Sequence, residues 1–329
     1  MRRAAEILVL SEAADVTAAE VISWLRARQR PCRWVHSEDP VIELALDPAS
    51  PRPSARLRLE RGGVLRLAEV GSLWWRQSAL PFRLPHDLPA GLAEVLTADI
   101  QVTRAALIAE LRQIPALGLP PKEGADQLRQ LRVAAALGLA VPPTLVTTSR
   151  AEIQAFAAVH GEIITKRLDA PPAFTTRGQR WSAGGTRALR PEELEALEPR
   201  FTPALVQARV PAAFELRVFY LRGELFAMAL LPVPGGPRSD DVRLADAAGA
   251  VRRCPYTLPA PVAARLGALM GALDLDTGSL DLIVTRDDHH VFLEVNPQGQ
   301  LDWLSHDCGY HLEERIADAL IALADGQAP

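Results

Sequence analysis

Lysine is nearly absent from this chain of 329 residues: only Lys122 and Lys166 occur among its 36 basic side chains. With 40 acidic residues the formal net charge is -4, so no overall positive field draws the protein to nucleic acid or to an anionic membrane. Cysteine is equally scarce. Cys32, Cys254 and Cys308 are odd in number, far apart and outside any CxxC or Cys/His spacing, which excludes a disulfide framework and a structural zinc site and leaves three reduced thiols. No apolar run approaches the roughly 20 residues of a membrane span. Glu6 and Glu12 interrupt the N-terminal stretch too early for a signal peptide, so a cytoplasmic location is expected. The 48% of hydrophobic residues excludes disorder, and the length suggests two or three lobes. There is no internal repeat.

What is present reads as alternating strands and helices. "EILVL" (Glu6 to Leu10) is a short apolar strand, "TAAEVISWLRARQ" a helix with Thr17 and Glu20 spaced as a capping box, and "CRWVH" a second strand, so the chain opens as a βαβ unit. "ARLRLERGGVLRLAEVGSLWWRQ" adds alternating strands about a Gly62-Gly63 hairpin turn, with Trp74 to Arg76 ending that sheet. Helical spacing runs from Leu88 to about Ile114. The prolines and glycines of "PALGLPPKEG" mark a lobe boundary near 115–123. A helix stopped at Gly138, a strand, a helix capped by Ser149 and Glu152, and the strand "EIITKRL" follow. A Gly/Ser/Thr/Arg-rich loop comes next, then a helix with Pro191 in its first turn. A third lobe is expected from about Phe201, with the strands "ALVQARV" and "FELRVFYLRGELFAMALL" and a Pro/Gly/Asp-rich loop. A helix, a hairpin and a C-terminal helix close the chain.

The closing hairpin, "GSLDLIVTRDDHHVFLEVNPQGQ", carries the strongest chemical signal. A turn centred on Asp287-Asp288 sets Asp281 directly across from Glu294, with Asn296 on the same face as Glu294. Two facing carboxylates repel unless a cation lies between them, and a hard ion such as Mg²⁺ both resolves the conflict and keeps positions for phosphate oxygens. A solvated sheet face is the competing reading, at about even odds from spacing alone. Lys166 is an exception in an arginine-rich chain, and its compact ammonium suits a point contact to phosphate; a strand-end surface lysine is the plainer alternative. The loop after it, with Gly178, Gly184 and Gly185, suits backbone contacts to a polyphosphate, although such loops are usually plain turns. Glu215 and Arg217 share a strand face, Asp241 and Arg243 repeat the acid-x-Arg spacing in a loop, and each pair is equally readable as an ordinary ion pair. His289 and His290 fall at the hairpin tip, as solvent-exposed residues.

Taken together, the lysine strand, the glycine loop, the "VQxxV" hinge and the late Asp…Glu-x-Asn hairpin resemble the ATP-grasp superfamily. More specifically, "LVLSEAADVTAAEVISWL", "ELRVFYLRGELFAMAL", "FLEVNPQGQ" and "CGYHLEERIADAL" resemble the grasp-with-spasm peptide maturases, which belong to the graspetide synthetases typified by the microviridin ligases. The resemblance implies an α/β ATP-grasp fold: a small N-terminal α/β domain (1–120), then two α+β lobes, central (121–202) and C-terminal (203–329), holding ATP between them. It also implies Mg²⁺ on Asp281, Glu294 and Asn296, ATP phosphates on Lys166, ribose on Glu215, and adenine on the hinge from Gln207 through Ala208, Arg209 and Val210. Arg217 would face the transferring phosphoryl group. Arg76 with Trp75, and Asp241 with Arg243, would lie on the substrate side. Where the family has Asn-Lys-Leu, this chain has Asp126, Gln127 and Leu128, so a phosphate-contacting lysine is replaced by Gln127, with Lys122 or Arg129 as substitutes.

The implied activity is ATP-dependent ligation. An Asp or Glu side chain of a ribosomal precursor peptide, leader plus core, is phosphorylated and then attacked by a Ser/Thr hydroxyl or a Lys amine of the same peptide, giving a macrocycle; the ester is favoured. Two alternatives stand beside it: a ligase adding a free amino acid to a peptide or small acid, and a nucleotide-binding protein without turnover. A homodimer is compatible with the sequence; nucleic acid and membrane are not expected partners.

Overall fold

The computed structural model describes residues 5–76, 80–83, 87–120, 126–166, 168, 174–176, 179–181, 186–233 and 251–327. The opening βαβ unit forms as its pattern predicts. β1 (Glu6–Ser11) is buried over nearly its whole length, α1 (Val16–Ala27) follows, and β2 (Cys32–His36) lies parallel to β1. The cap differs from the expected Thr17 box: Asp15 is the N-cap, its carboxylate accepting from Ala18 N at 3.1 Å, and Thr17 is already the second residue of the helix, its side chain buried.

β3 (Val41–Ala45), β4 (Arg56–Leu59) and β5 (Gly63–Arg66) make a separate antiparallel sheet. The expectation that Trp74 to Arg76 end that hairpin sheet is corrected here. β6 (Val70–Trp75) instead joins β1 in a parallel sheet ordered β2-β1-β6-β7, where β7 is Ala116–Leu117. Its run VGSLWW is almost continuously buried, the pattern of a central parallel strand covered on both faces rather than of an alternating hairpin strand. The helix between them, α2 (Ala90–Leu111), matches its predicted span to within a few residues.

α3 (Gln127–Ala136) is capped by Asp126, which accepts from the Leu128 and Arg129 amides. β8 (Thr144–Ser149), α4 (Arg150–His160), β9 (Ile163–Lys166), the ribbon β10 (Phe174–Thr176) with β11 (Gln179–Trp181), β12 (Arg187–Leu189), α5 (Pro191–Ala196) and β13 (Arg200–Ala208) follow. Four of these strands form an antiparallel sheet ordered β12-β9-β13-β8, with a small core of Ile153, Ile163, Leu194 and Val206. A border at residue 202 therefore cuts through β13, and the chain leaves the central sheet only after Ala208. "ALVQA" reads equally well as the first strand of one sheet or the last of another, since alternation does not name the partner strand.

The last lobe is a five-stranded antiparallel sheet, β16-β15-β14-β17-β18, from β14 (Phe214–Leu221), β15 (Glu224–Pro232), β16 (Val251–Tyr256), β17 (Thr277–Val284) and β18 (His290–Asn296). Leu216, Val218, Leu280, Leu282 and Phe292 on one face pack with Leu266, Leu269 and Met270 of α6 (Ala260–Ala272). Leu131 and Ala134 of α3 join this same core, so α3 packs on the C-terminal sheet although it precedes the central one in sequence. α7 (Asp302–Cys308) and α8 (Leu312–Ala324) finish the chain. α8 returns to the first lobe, where Leu312, Ile316 and Leu320 pack with Ile7, Val9 and Val21 and Ser72 Oγ donates to Leu320 O at 2.7 Å. Among the described residues no helix is long and apolar enough to cross a membrane.

Candidate active site

The hairpin β17–β18 places Asp281 opposite Glu294 and Ser279 opposite Asn296, the registry expected from the sequence. The route to it differs. Residues nearer the turn pair one position lower, Leu282 with Phe292 and Val284 with His290, and the register shifts between Asp281 and Leu282. The turn closes from Thr285 N to His289 O at 3.0 Å with Asp288 at positive φ, and a bulge at Leu293 restores the expected pairing. A bulge puts two neighbouring residues on one side of a strand, and here Leu293 and Glu294 both line the cleft. β17 alternates strictly, with Leu280, Leu282 and Val284 in the core and Asp281 and Ile283 toward the cleft.

That cleft lies between two sheets. The central sheet contributes Ile164, Lys166, Gln207 and Ala208, with Val210 beyond it, and the C-terminal sheet contributes Glu215, Arg217, Asp281 and Glu294. Period-two alternation puts Glu215 and Arg217 on the same face of β14, and pairing of β14 with β17 sets Arg217 beside Asp281. Arg217 Nη1 lies 3.2 Å from Glu215 Oε2 and its Nε 3.3 Å from Asp281 Oδ1. Across the cleft Lys166 Nζ stands 3.4 Å from Glu294 Oε2. Three carboxylates thus meet two cations, and the two lobes touch through the Lys166–Glu294 pair. Burial lowers the pKa of the Lys166 ammonium from its usual 10.5, and the nearby Glu294 and Asp281 partly oppose that shift.

The other expected residues are placed unevenly. Gln207 is buried and donates to Thr144 Oγ1 at 2.9 Å. The Ala208 and Arg209 amides are bonded to Pro143 O and Glu162 O, so an adenine edge would meet other groups of the hinge, its carbonyls among them. Arg209 turns its side chain outward to Glu162, at 2.6 Å. Asp241, Arg243, Lys122 and the glycines of the loop after Lys166 lie outside the described residues. Arg76, expected on the substrate side, is instead almost wholly buried, ion-paired with Asp15 at 2.8 Å. His290, expected at the solvent, is half-buried against Tyr256, with the phenol oxygen 3.0 Å from its Nε2.

Two residues of α3 that sequence reasoning assigned no role to, or treated as a loss, act on the same strand. Gln127 Nε2 donates to Glu294 Oε2 at 2.9 Å. Gln130, buried, bonds the Val295 backbone both ways at 2.8 Å, accepting from its N–H and donating to its carbonyl. The i,i+3 spacing of two glutamines is a visible signal for a shared helix face, but nothing local names the strand they would meet.

As a cation site, the hairpin offers Asp281, Glu294 and the Asn296 carboxamide. Among the described residues no group of three or more His, Cys, Asp or Glu side chains is arranged to hold a metal, so the donor set is two carboxylates and one amide oxygen. It is all oxygen, it is anionic, and the structure already brings a cation to each carboxylate, Arg217 to Asp281 and Lys166 to Glu294. Such a set fits Mg²⁺, which binds through one or two carboxylates and leaves positions for phosphate oxygens.

No family model matches the sequence, and no curated protein matches it significantly. Solved structures do. Macrocyclase MdnC from Microcystis aeruginosa, bound with precursor peptide MdnA, is 25% identical with a TM-score of 0.79 over 96% of this chain and 99% of that one. Macrocyclase MdnB from the same organism is 26% identical with a TM-score of 0.72 over 96% and 99%. A RiPP-associated ATP-grasp ligase from Chryseobacterium gregarium, in complex with ADP and a leader and core peptide, shares the fold with a TM-score of 0.81 at 20% identity over 99% and 98%. With its cleft between the central and C-terminal sheets and its length matched almost end to end, the chain is an ATP-grasp ligase similar in fold to these peptide macrocyclases.

Proposed function

We propose that this protein closes side-chain macrocycles in a ribosomally made precursor peptide, joining Asp or Glu carboxylates to Ser/Thr hydroxyls or Lys amines at the expense of ATP. The observation that carries the reading is the cleft itself: Lys166 on one sheet faces Asp281 and Glu294 on the other, where a polyphosphate and a divalent ion would balance the charges. Support comes also from the fold neighbours, of which two are macrocyclases and one is an ATP-grasp ligase complexed with ADP and with leader and core peptide.

Mg²⁺–ATP, when bound, supplies the phosphoryl group that converts a peptide carboxylate into an acyl phosphate. The chain's own residues do the positioning. Asp281, Glu294 and Asn296 would hold the ion, and Lys166 would meet the phosphates, exchanging its pairing with Glu294 for a second anion. Arg217, its fork between Glu215 and Asp281, would turn donors toward charge developing on the transferring group, which is largely electrostatic work. Ile164, Ile283 and Leu293 give the cleft apolar walls, and such walls strengthen each polar contact by excluding water. The peptide hydroxyl or amine then attacks the acyl carbon, its proton is lost and inorganic phosphate leaves. The ester is the favoured product. ADP release tests this reading: it should depend on a peptide bearing both an acidic and a nucleophilic side chain, and ADP formed equally without peptide would overturn it.

A further inference from the structure

Arg76 follows β6 in the N-terminal lobe, and every edge of its guanidinium is engaged. Its Nε donates to Asp15 Oδ2 at 2.8 Å, its Nη1 to Gly299 O at 3.0 Å and its Nη2 to Gln300 Oε1 at 3.2 Å. Its side chain is 4% exposed and that of Asp15 2%. Asp15 is itself immobilised, capping α1 through Ala18 N and accepting from Ser11 Oγ. The arginine is therefore anchored to the first lobe on one side and reaches on the other to the segment immediately after β18.

That segment is the turn that carries Asn296. The Asn296 side-chain oxygen accepts from Gln298 N at 3.0 Å and its carbonyl from Gly299 N at 3.1 Å. Gly299 presses on Ser279, the cross-strand partner of Asn296, so closely that a Cβ at 299 would lie 2.5 Å from Ser279 Cβ. The turn is thus fixed from below by Ser279 and from the side by Arg76. We propose that Arg76 is a positioning residue for the metal site: it grips the Gly299 carbonyl from the N-terminal lobe and thereby holds the Asn296 carboxamide where it can ligate a divalent cation. This rests on the reading of Asp281, Glu294 and Asn296 as the Mg²⁺ ligands. The planar fork is what the task requires, since one group must meet a carboxylate, a backbone carbonyl and an amide oxygen in different directions. An ammonium at the end of a lysine stem lacks that fixed geometry.

Arg76→Lys keeps the charge opposite Asp15 and loses the fork. The probe is ATP binding by calorimetry at a series of Mg²⁺ concentrations, with thermal melting of the ligand-free protein alongside. Arg76→Lys should raise the Mg²⁺ concentration needed for half-maximal ATP affinity by about tenfold, the scale on which groups behind a metal ligand act. Gln300→Ala, which removes only the Nη2 partner, should raise it a few-fold without lowering the melting temperature. Ser305→Ala, which breaks a buried hydrogen bond to Glu313 away from the site, should lower the melting temperature and leave the Mg²⁺ requirement unchanged. An unaltered Mg²⁺ requirement in folded Arg76→Lys, or in Gln300→Ala should the former not fold, overturns the inference, as does an equal shift in Ser305→Ala. Wild-type ATP binding that needs no divalent ion would overturn the metal reading itself, and is a separate result.

Discussion

Gln127 Nε2 donates to Glu294 Oε2 at 2.9 Å, and the same oxygen lies 3.4 Å from Lys166 Nζ. One neutral donor and one ammonium therefore share an acceptor, which ranks their expected effects on ATP. With Lys166 on the ATP phosphates as proposed, Lys166→Met would remove a charge-assisted contact worth roughly 1.5–3 kcal/mol, about tenfold to a hundredfold in Kd. Gln127→Ala removes a neutral hydrogen bond to a carboxylate that Lys166 still meets, so ATP affinity should fall by less. Calorimetric titration of both folded variants gives the order. The reverse order would move the phosphate contact from β9 to α3.

Glu294→Gln replaces one of the two facing charges by a neutral amide of the same shape. The Gln127 contact can persist through the side-chain oxygen, so the fold should survive, while the Mg²⁺ requirement for ATP binding should rise. Measured at fixed ATP over a Mg²⁺ series, an unchanged requirement would take the metal away from the hairpin.

Arg217→Ala should abolish turnover and spare ATP binding, because a contact made chiefly to the transferring phosphoryl group acts in the transition state. The variant leaves Glu215 and Asp281 without this partner, each of which has at least one further interaction in the fold. ATP affinity within a few-fold of wild type together with undetectable ADP formation is expected. Loss of ATP binding in a folded protein would make Arg217 a ground-state contact instead.

Asp276 accepts from Gly118 N at 2.8 Å, tying the end of the first lobe to β17. Burial raises its pKa above the usual 3.8, partly offset by the hydrogen bond from Gly118. A carboxyl whose folded pKa is raised binds more protons in the folded state between 3.8 and that value, so stability is lost as pH rises through this window and the penalty persists at neutral pH. Asp276→Asn keeps an oxygen for Gly118 and removes the charge. Its melting temperature should exceed that of wild type at pH 7, and the advantage should vanish below pH 3.8. An Asn variant less stable than wild type at pH 7 would show that Asp276 gains more from charge than burial takes away.

Much of the site was legible because period-two alternation survives in antiparallel strands: Glu215 with Arg217, and Asp281 opposite Glu294, could be placed by counting. The count for the hairpin succeeded through a bulge at Leu293 that no local residue announces, since the turn closes one position away from where it was centred. Long-range partners were not legible. Nothing in "VGSLWW" names β1 as its neighbour, nothing in α3 names the C-terminal sheet, and the return of α8 onto α1 joins residues at opposite ends of the chain. The partners of Arg76 were hidden for the same reason: its aromatic neighbour is visible in sequence, whereas Asp15 and the Gly299 carbonyl meet it only in the fold.

Intact-mass spectrometry of a precursor peptide reads the condensation itself. A short peptide rich in Ser/Thr and Asp/Glu, encoded beside this protein, is incubated with the enzyme, ATP and Mg²⁺. The expected product has unchanged length and is lighter by the mass of one water per ring, with one ADP formed for each water lost. A gain equal to an amino-acid residue would make the protein an amino-acid-adding ligase, and unchanged mass with no ADP across the neighbouring peptides would contradict turnover altogether.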